Sequence, residues 1–462
     1  MEGRSPSSRP TQEAGRDMRL GNLQTLEDVQ KLRTALHAKA KEEPAFRFYA
    51  LYDKIYRRDV LLEAYKRCKA NGGAAGVDGV TFKDIKEYGE ERWLGELAER
   101  LRKKDYQPEA VRRVWIQKPG SKKMRPLGIP TILDRTVQTA TMSILEPIFE
   151  ADLQPEQWAY REQRGTHDAI RAVHSLLRVG HQHIVDADLS GYFDSIPHHE
   201  LLKCVARRVS DKHVMHLIKM WLDAPVEEDD GHGNRRRTTP NRDAGCGTPQ
   251  GAPISPLLSN IYMRRFLLGW KQLGHDRRWG AYIVNYADDF VICCKGQANE
   301  AMDAMRKIMT KLKLTVNEEK THVCHLPQER FTFCGYTFGR HYSPRTGGAY
   351  IGARPSEKSC KRMMANISQE TDRCRTLLDV EDIVGNLNLK LMGWANQFCL
   401  GTVKQAYRAI DAHATQRLRR WLCKKHKVNG NGKTRFTDQF IYEELGLVKL
   451  SDRKYKHPWA KA

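Results

Sequence analysis

Two adjacent aspartates, Asp288 and Asp289, interrupt two apolar segments at residues 282–286 and 290–294. Apolar segments separated by a short polar break predict a β-hairpin, so the two carboxylates are expected at its tip. Like charges side by side repel, and burying them requires a compensating cation. Taken alone, such a pair is usually an ordinary solvated turn, and only its combination with a second source of carboxylates favours a metal site.

A second source of carboxylates, Asp186 and Asp188, ends another apolar segment at residues 184–188. Side chains alternate across a strand, so these two aspartates are expected on one face. Oxygen ligands of this kind suit Mg²⁺. If this strand lies beside the hairpin, Asp188 and Asp288 could hold two ions about 4 Å apart, an arrangement for phosphoryl or nucleotidyl transfer.

The surrounding sequence predicts the elements that position these carboxylates. Residues 110–116 alternate like a strand and precede a basic turn at 118–123. The Gly- and Pro-rich segment 247–253 predicts a rigid loop that opens a helix at 257–270. Residues 71–76 form another loop, and the pattern beyond residue 356 is helical and basic.

The composition favours a polyanionic partner. The 462 residues include 78 Lys and Arg against 56 Asp and Glu, a net charge of +22, which is typical of nucleic-acid-binding proteins. The alternative is a basic soluble enzyme. An apolar N-terminal segment and an 18-residue apolar run are both missing, so neither a secretory signal nor a membrane span is expected. Eleven Cys without a C-x-x-C pair indicate a reduced, cytosolic protein.

The segment Tyr286-Ala287-Asp288-Asp289 resembles the catalytic box of reverse transcriptases, in the form typical of group II intron-encoded enzymes. Further segments are similar to motifs of that family and follow its order: residues 75–81, 125–138, 188–194, 247–262, 312–321 and 331–336. Two segments depart from the family pattern. Residues 158–164 differ, which weakens an assignment of template contacts there, and after Tyr262 the places where the family usually has a His and an Asp are held by Arg264 and Leu267.

The resemblance implies roles for individual residues. Asp188 and Asp288 would bind two Mg²⁺ ions, with Mn²⁺ as an alternative, and Asp289 would add charge and a further ligand. Asp186 and Asp194 are taken as structural. Lys320 is either a general acid toward pyrophosphate or a surface lysine.

The resemblance also implies a nucleotide-binding set. Lys118 and Arg125 would clamp the incoming triphosphate, since a guanidinium pairs with phosphate oxygens through two hydrogen bonds. Phe193 would abut the sugar 2′ position and exclude a hydroxyl, and Gln250 would hydrogen-bond the nucleotide or template. The alternatives are a solvated turn lysine for Lys118 and an ordinary core residue for Phe193.

The expected fold is α+β: a right-hand polymerase whose palm holds an antiparallel sheet, followed by an α-helical thumb and maturase region. We assign residues 1–24 to a disordered arm, 25–180 to the fingers, 181–350 to the palm and 351–462 to the thumb and maturase region. The endonuclease domain with an HNH motif that some family members carry is not expected in this sequence.

The C-terminal part predicts an RNA-binding surface. An apolar stripe at helical spacing consists of Val403, Tyr407, Ile410, Ala414, Leu418 and Trp421. Between residues 404 and 435, ten Lys and Arg accompany a single acidic residue, Asp411. Such an excess suits RNA phosphates, and Arg417, Arg420, Lys424 and Lys425 are the proposed contacts.

The predicted function is RNA-directed DNA synthesis, with dNTPs, an RNA template and a DNA primer, combined with binding of a group II intron RNA to assist its splicing and mobility. The expected location is the cytoplasm of a bacterium, without membrane association; the sequence does not indicate the oligomeric state. Two alternatives are a reverse transcriptase recruited to antiviral defence or a CRISPR system, and a non-catalytic RNA-binding splicing factor.

Overall fold

The computed structural model describes residues 13–117, 124–229, 235–343 and 346–453. The helices of these ranges are α1 (Glu13–Glu42), α2 (Tyr52–Ile55), α3 (Arg58–Asn71), α4 (Phe82–Tyr88), α5 (Glu90–Lys103), α6 (Ile132–Glu150), α7 (Thr166–Arg178), α8 (Tyr192–Ser195), α9 (His198–Ala206), α10 (Lys212–Leu222), α11 (Pro240–Ala244), α12 (Ser255–Gln272), α13 (His275–Trp279), α14 (Ala298–Lys311), α15 (Glu357–Glu370), α16 (Val380–Gln397) and α17 (Lys404–Lys425). The strands are β1 (Val111–Gln117), β2 (Met124–Ile129), β3 (His183–Asp188), β4 (Val226–Asp229), β5 (Arg235–Thr238), β6 (Tyr282–Tyr286), β7 (Asp289–Cys294), β8 (His322–His325), β9 (Phe331–Phe333), β10 (Tyr336–Tyr342) and β11 (Ala349–Pro355). The fold is therefore mixed α+β, as predicted.

The central sheet has the strand order β6-β7-β3-β8, with antiparallel pairing throughout. Its strand β7 is buried on both faces: Phe290 and Ile292 join one apolar cluster, while Val291 and Cys293 join another. Because side chains alternate along a strand, a continuous apolar segment is what a sheet covered on both sides requires. The predicted hairpin at 282–294 is confirmed.

A second sheet, β2-β1-β4-β5, joins parts of the chain far apart in sequence. Strand β1 pairs antiparallel with β2 and parallel with β4, where Val111 lies opposite Val226. The hairpin β4–β5 falls in the range assigned to the palm, yet its partners belong to the range assigned to the fingers. Residue 180 therefore does not separate the two sheets, because the chain returns to the first sheet after leaving it.

The N-terminal part is helical earlier than expected. Helix α1 begins at Glu13, so residues 13–24, assigned to a disordered arm, are helical. Extending an existing helix adds one hydrogen bond per residue without a new nucleation cost, and this explains how a polar segment continues α1. Residues 1–12 lie outside the described ranges.

The C-terminal helices α15, α16 and α17 surround their own apolar cluster. Every residue of the predicted apolar stripe on α17 and at its start is buried there: Val403, Tyr407, Ile410, Ala414, Leu418 and Trp421. A third sheet, β11-β10-β9, lies between this region and the central sheet, and α7 contacts both sheets. In the described part of the chain, no helix combines the length and apolar character that crossing a bilayer needs.

Candidate active site

Asp188 and Asp289 are directly opposite each other at one end of the central sheet. Asp188 ends β3 and Asp289 begins β7, and opposed residues of an antiparallel pair share a face. Asp288 is exposed in the two-residue turn between Tyr286 and Asp289. The fold thus brings the three predicted carboxylates to one edge.

The turn that presents Asp288 has an unusual backbone. Ala287 has a φ of 60°, in the left-handed region that two-residue hairpin turns use. The Asn285 amide nitrogen donates a hydrogen bond to the Ala287 carbonyl over 2.8 Å. Asn285 is itself buried, and its backbone is paired with Glu156 and Trp158. These contacts hold the turn in this conformation.

Two carboxylates of this edge, Asp289 and Asp186, are destabilised as anions. Burial, together with the charges of the other aspartates, raises the pKa of Asp289 to about 7, against a hydrogen bond from the Cys334 N–H. Burial also raises the pKa of Asp186 to about 6, with the charge of Asp188 contributing. A divalent cation would relieve this repulsion, so the donor set fits the predicted Mg²⁺.

The Asp188 carboxylate is held by the segment that follows α14. Lys320 Nζ lies 2.8 Å and Asn317 Nδ2 3.1 Å from Asp188 Oδ2. The Asn317 N–H also donates to the Asp188 carbonyl over 2.8 Å. In the described ranges no three His, Cys, Asp or Glu side chains converge enough to hold an ion unaided. Substrate phosphates are the ligands that Mg²⁺ commonly adds in such sites.

A cavity of about 560 Å³ is lined by three of the four residues predicted to bind the nucleotide: Arg125, Phe193 and Gln250. Arg125 Nε donates to Gln250 Oε1 over 3.0 Å, and Gln250 Nε2 donates to Asp194 Oδ2 over 2.9 Å. Asp194, predicted to be structural, therefore orients Gln250. Lys118 lies outside the described residues.

The loop that carries Gln250 packs tightly on β2. The Gly128 N–H donates to the Gln250 carbonyl over 2.6 Å. Gly251 has a φ of 109°, and a Cβ there would lie 2.4 Å from the Gly128 carbonyl oxygen. Only glycine fits this backbone and this approach. The glycine-rich segment predicted to be rigid is therefore locked against the second sheet.

Three further residues of the cavity lining were not identified from the sequence: Arg67, Arg135 and Tyr160. Tyr160 belongs to the segment that departs from the family pattern, and the nearby charge of Asp288 adds to the burial that raises its pKa. In that same segment Arg161 binds Glu150 and two backbone carbonyls, which is a structural role. Arg67 belongs to no recognised motif, and Arg135 lies in the motif-like segment 125–138 without a role having been assigned to it, so only the fold places both in the cavity.

The C-terminal cations divide into two groups. Arg417 donates to Thr371 Oγ1 and to the carbonyls of Ser368 and Thr371, at the end of α15. Lys425 donates to the carbonyls of Thr376 and Leu378. Arg420 and Lys424 are exposed on α17. The sequence predicts RNA contacts for all four residues, but Arg417 and Lys425 already have intramolecular hydrogen-bond partners, whereas the side chains of Arg420 and Lys424 are exposed.

Burial also reduces the number of charged side chains that this region presents to solvent. Arg419, one of the ten cations, is buried against Asp438 and the Phe436 carbonyl. Asp411, the single acidic residue, is buried and accepts hydrogen bonds from the Leu450 and Ser451 N–H groups. The surface charge therefore depends on the exposed cations, which are Lys404, Arg408, Arg420, Lys424, Lys427, Lys433 and Arg435.

Two family models match the chain: reverse transcriptase (RNA-dependent DNA polymerase) over residues 116–338, and group II intron, maturase-specific domain over residues 360–440. The chain therefore belongs to the group II intron reverse transcriptase/maturase family, and it contains an RNA-dependent DNA polymerase domain.

The relatives agree with this assignment. Protein YkfC of Escherichia coli is 32% identical over 72% of this chain and 93% of its own length. The group II intron-encoded protein LtrA of Lactococcus lactis is 29% identical over 63% of this chain and 56% of its own length. A 91 kDa protein in the cob intron of Schizosaccharomyces pombe is 23% identical over 75% of this chain and 50% of its own length. The chain thus matches about half the length of the latter two.

Proposed function

We propose that this protein copies RNA into DNA and binds a group II intron RNA to assist its splicing and mobility. The observation that carries the proposal is the directly opposed pair Asp188–Asp289, together with a cavity lined by Arg125, Phe193 and Gln250 whose lining residue Tyr160 lies within electrostatic reach of Asp288. The layout we propose is that of a right hand, with the central sheet as the palm, the second sheet in the fingers and α15 to α17 as thumb and maturase region.

In this proposal the primer 3′-hydroxyl gives up its proton to solvent, its oxygen bonds to the α-phosphorus of a dNTP, the α–β anhydride breaks, and pyrophosphate leaves. Divalent ions bound by Asp188, Asp288 and Asp289 would supply charge neutralisation at the hydroxyl and the leaving group. The guanidinium of Arg125 would hold the triphosphate, and Lys118 would assist it. Phe193 would stand against the sugar and Gln250 against the base or template.

Lys320 has a defined place in this scheme. Its Nζ atom lies 2.8 Å from Asp188 Oδ2 and neutralises that carboxylate, while the Lys320 side chain remains 63% exposed to solvent. An incoming anionic substrate would draw the same ammonium group away from Asp188. This position is compatible with proton donation to pyrophosphate, the role considered for it from the sequence.

The intron-binding part rests on the maturase-specific domain match and on the exposed cations of α17. LtrA is named as a group II intron-encoded protein, and a 109-residue match at 31% identity is a nuclear intron maturase of Arabidopsis thaliana. We place the protein in the bacterial cytoplasm, in line with the E. coli and L. lactis relatives.

The test is primer extension on an RNA template with a DNA primer, dNTPs and Mg²⁺, run beside splicing of the intron RNA that flanks the gene. We expect full-length cDNA and faster splicing than with RNA alone. Asp288→Asn is the control that should lose synthesis and keep splicing assistance. Splicing assistance without synthesis by the parent protein would identify a non-catalytic splicing factor. Synthesis without an intron at the locus would favour a role in defence.

A further inference from the structure

A second cavity, of about 510 Å³, lies at the end of the central sheet away from the carboxylates. It is bounded by α13, by the start of β6 and by the residues after β7. Strand β7 runs six residues from Asp289 to Cys294, so the cavity lies about 17 Å from the aspartates at the usual rise per residue. It is separate from the candidate active site.

The lining of this cavity carries unpaired positive charge. Arg277, Arg278 and Lys295 line it, against one carboxylate, Asp276. Within the described ranges none of the three cations has a salt-bridge partner. Asp276 keeps one carboxylate oxygen buried without a hydrogen-bond partner. The net charge of the lining is therefore +2, and the cations are free to bind an anion.

One of these cations is held in place by aromatic stacking. The Arg278 guanidinium lies 5.6 Å from the centre of the Trp279 ring. The Trp279 ring is itself supported by His275, stacked parallel to it at 4.5 Å, and by Trp270, whose ring centre lies 6.3 Å away. A guanidinium fixed over an aromatic face loses less conformational entropy when it binds a ligand. Arg278 is therefore partly preorganised.

An exposed aromatic side chain completes the lining. Tyr282 is 40% exposed, and its ring lies nearly perpendicular to that of His181, with 5.1 Å between the ring centres. His181 is buried and bonded to the Gly280 carbonyl at 2.8 Å, which joins α13 to the start of β3. The Tyr282 ring is therefore held by His181 and lines the same cavity as the three cations.

From these residues we infer that the cavity binds one nucleotide of a single-stranded nucleic acid. Arg277, Arg278 and Lys295 take the phosphates, and Tyr282 stacks on the base. Sequence-tolerant sites for single strands combine positive charge with aromatic platforms in this way, and the volume lies within the range of small-ligand sites. The inference rests on the proposed function only in taking nucleic acid as the partner.

The test uses the full chain and an eight-nucleotide single-stranded RNA that carries one photoreactive 4-thiouridine, with a DNA oligonucleotide of the same sequence as a second arm. Crosslinked peptides are mapped by mass spectrometry. We expect a crosslink at Tyr282. The variants are R277A/R278A, K295A and Y282A; the matched control is K307A/K311A, which removes two exposed cations from α14.

We expect R277A/R278A to reduce the log–log salt slope of oligonucleotide binding by about 1.4 units, and K295A by about 0.7, since each phosphate contact on a single strand contributes about 0.7. Y282A should weaken binding about tenfold with the slope unchanged. The control should retain the parental Tyr282 crosslink. Because K295A lies outside α13, its effect does not depend on the folding of that helix.

Crosslinks elsewhere but none at Tyr282, or an equal response in the control, would overturn the inference. So would tighter binding of an acidic peptide such as oligo-glutamate at the same residues. A stronger crosslink from RNA than from DNA would identify RNA as the preferred ligand of the cavity. Equal crosslink yields would show that the cavity recognises the phosphates and bases that RNA and DNA share. Primer extension on a short template should persist in every variant, because the candidate active site is unchanged. If the parent protein fails to extend a primer, that result contradicts the proposed function and leaves the oligonucleotide-binding test of this cavity unaffected.

Discussion

Asp188 and Asp289 lie opposite each other although 101 positions separate them in the sequence, because β3 inserts between the hairpin β6–β7 and the edge strand β8. The register of the β3–β7 pairing determines whether these two carboxylates share one face of the sheet. A slip of one residue would turn Asp289 to the other face of the sheet. The apolar residues that follow prevent that slip, since Phe290 and Val291 belong to different clusters.

Asp188→Asn and Asp288→Asn should each abolish polymerisation. Each change removes a charged oxygen ligand, and metal stabilisation of a transition state is worth several kcal/mol, or at least about 100-fold in rate. Single-nucleotide extension measures the effect, and RNA affinity should stay nearly unchanged. Near-parental extension by either variant would refute their assignment as metal ligands.

Phe193→Ala should relax sugar discrimination. The Phe193 ring lines the cavity and its carbonyl is fixed by the Thr248 N–H over 2.7 Å, so the change opens space without moving the loop. The ratio of ribonucleotide to deoxynucleotide incorporation should rise. Phe193→Trp, which keeps a wall, is the control. An unchanged ratio in Phe193→Ala would make Phe193 a core residue only.

The two groups of C-terminal cations should behave differently. Arg420→Ala with Lys424→Ala removes exposed charges and should weaken intron RNA binding, with the salt slope smaller by about two units. Arg417→Ala removes three hydrogen bonds at the end of α15 and should destabilise the C-terminal region by roughly 2 kcal/mol. Binding titrations at several salt concentrations and thermal unfolding separate the two effects.

Extension of a short, unstructured primer-template should fall much less than intron binding in the Arg420/Lys424 double variant. Equal loss of both activities would instead indicate a general clamp for nucleic acid. A purely electrostatic effect of Arg417→Ala, with an unchanged unfolding temperature, would contradict its structural assignment.

Gly251→Ala should impair nucleotide binding. The added Cβ would lie 2.4 Å from the Gly128 carbonyl oxygen at a φ of 109°, so the loop and Gln250 must shift, at a cost of about 1–3 kcal/mol. We expect a higher KM for dNTPs. Gly269→Ala is the matched control, because its Cβ would meet no atom within 4 Å and alanine favours the helix. An equal KM in both variants would refute the argument.

His174 should make the stability of the fold depend on pH. It is buried on α7, and burial, with the charge of Arg178, lowers its pKa from 6.5 to about 4. The unfolded chain therefore binds the proton more readily, so the contribution of His174 is complete above pH 6.5 and falls as the pH drops toward 4. The change over this window amounts to roughly 3 kcal/mol.

His174→Gln should remove this component, which the difference in unfolding temperature between parent and variant at pH 7.5 and pH 5 measures. The comparison isolates His174, because the buried carboxylates titrate in both proteins. The exposed His216→Gln is the control. Parallel pH profiles for the parent and His174→Gln would show that His174 does not couple to unfolding.

The catalytic motif and its hairpin were predictable from local sequence. A hairpin depends on neighbouring residues, and the alternation of apolar side chains specified its strands without knowledge of their partners. The helical stripe of α17 was predictable for the same reason. Strands β4 and β5 were not predicted, because these short segments are strongly charged and β4 takes its place in the sheet by pairing with β1, a strand far away in the sequence.

The sequence by itself determined the residue types available for chemistry, the hairpin that presents Asp288 and Asp289, and the family to which the chain belongs. Only the tertiary structure decided which aspartate opposes which, that Arg67, Arg135 and Tyr160 share the cavity with Gln250, and that Arg417 and Lys425 already bind backbone carbonyls. Composition counts charges along the chain, but burial and hydrogen bonding decide which of them remain free to meet a ligand, and these arise from contacts between residues far apart in sequence.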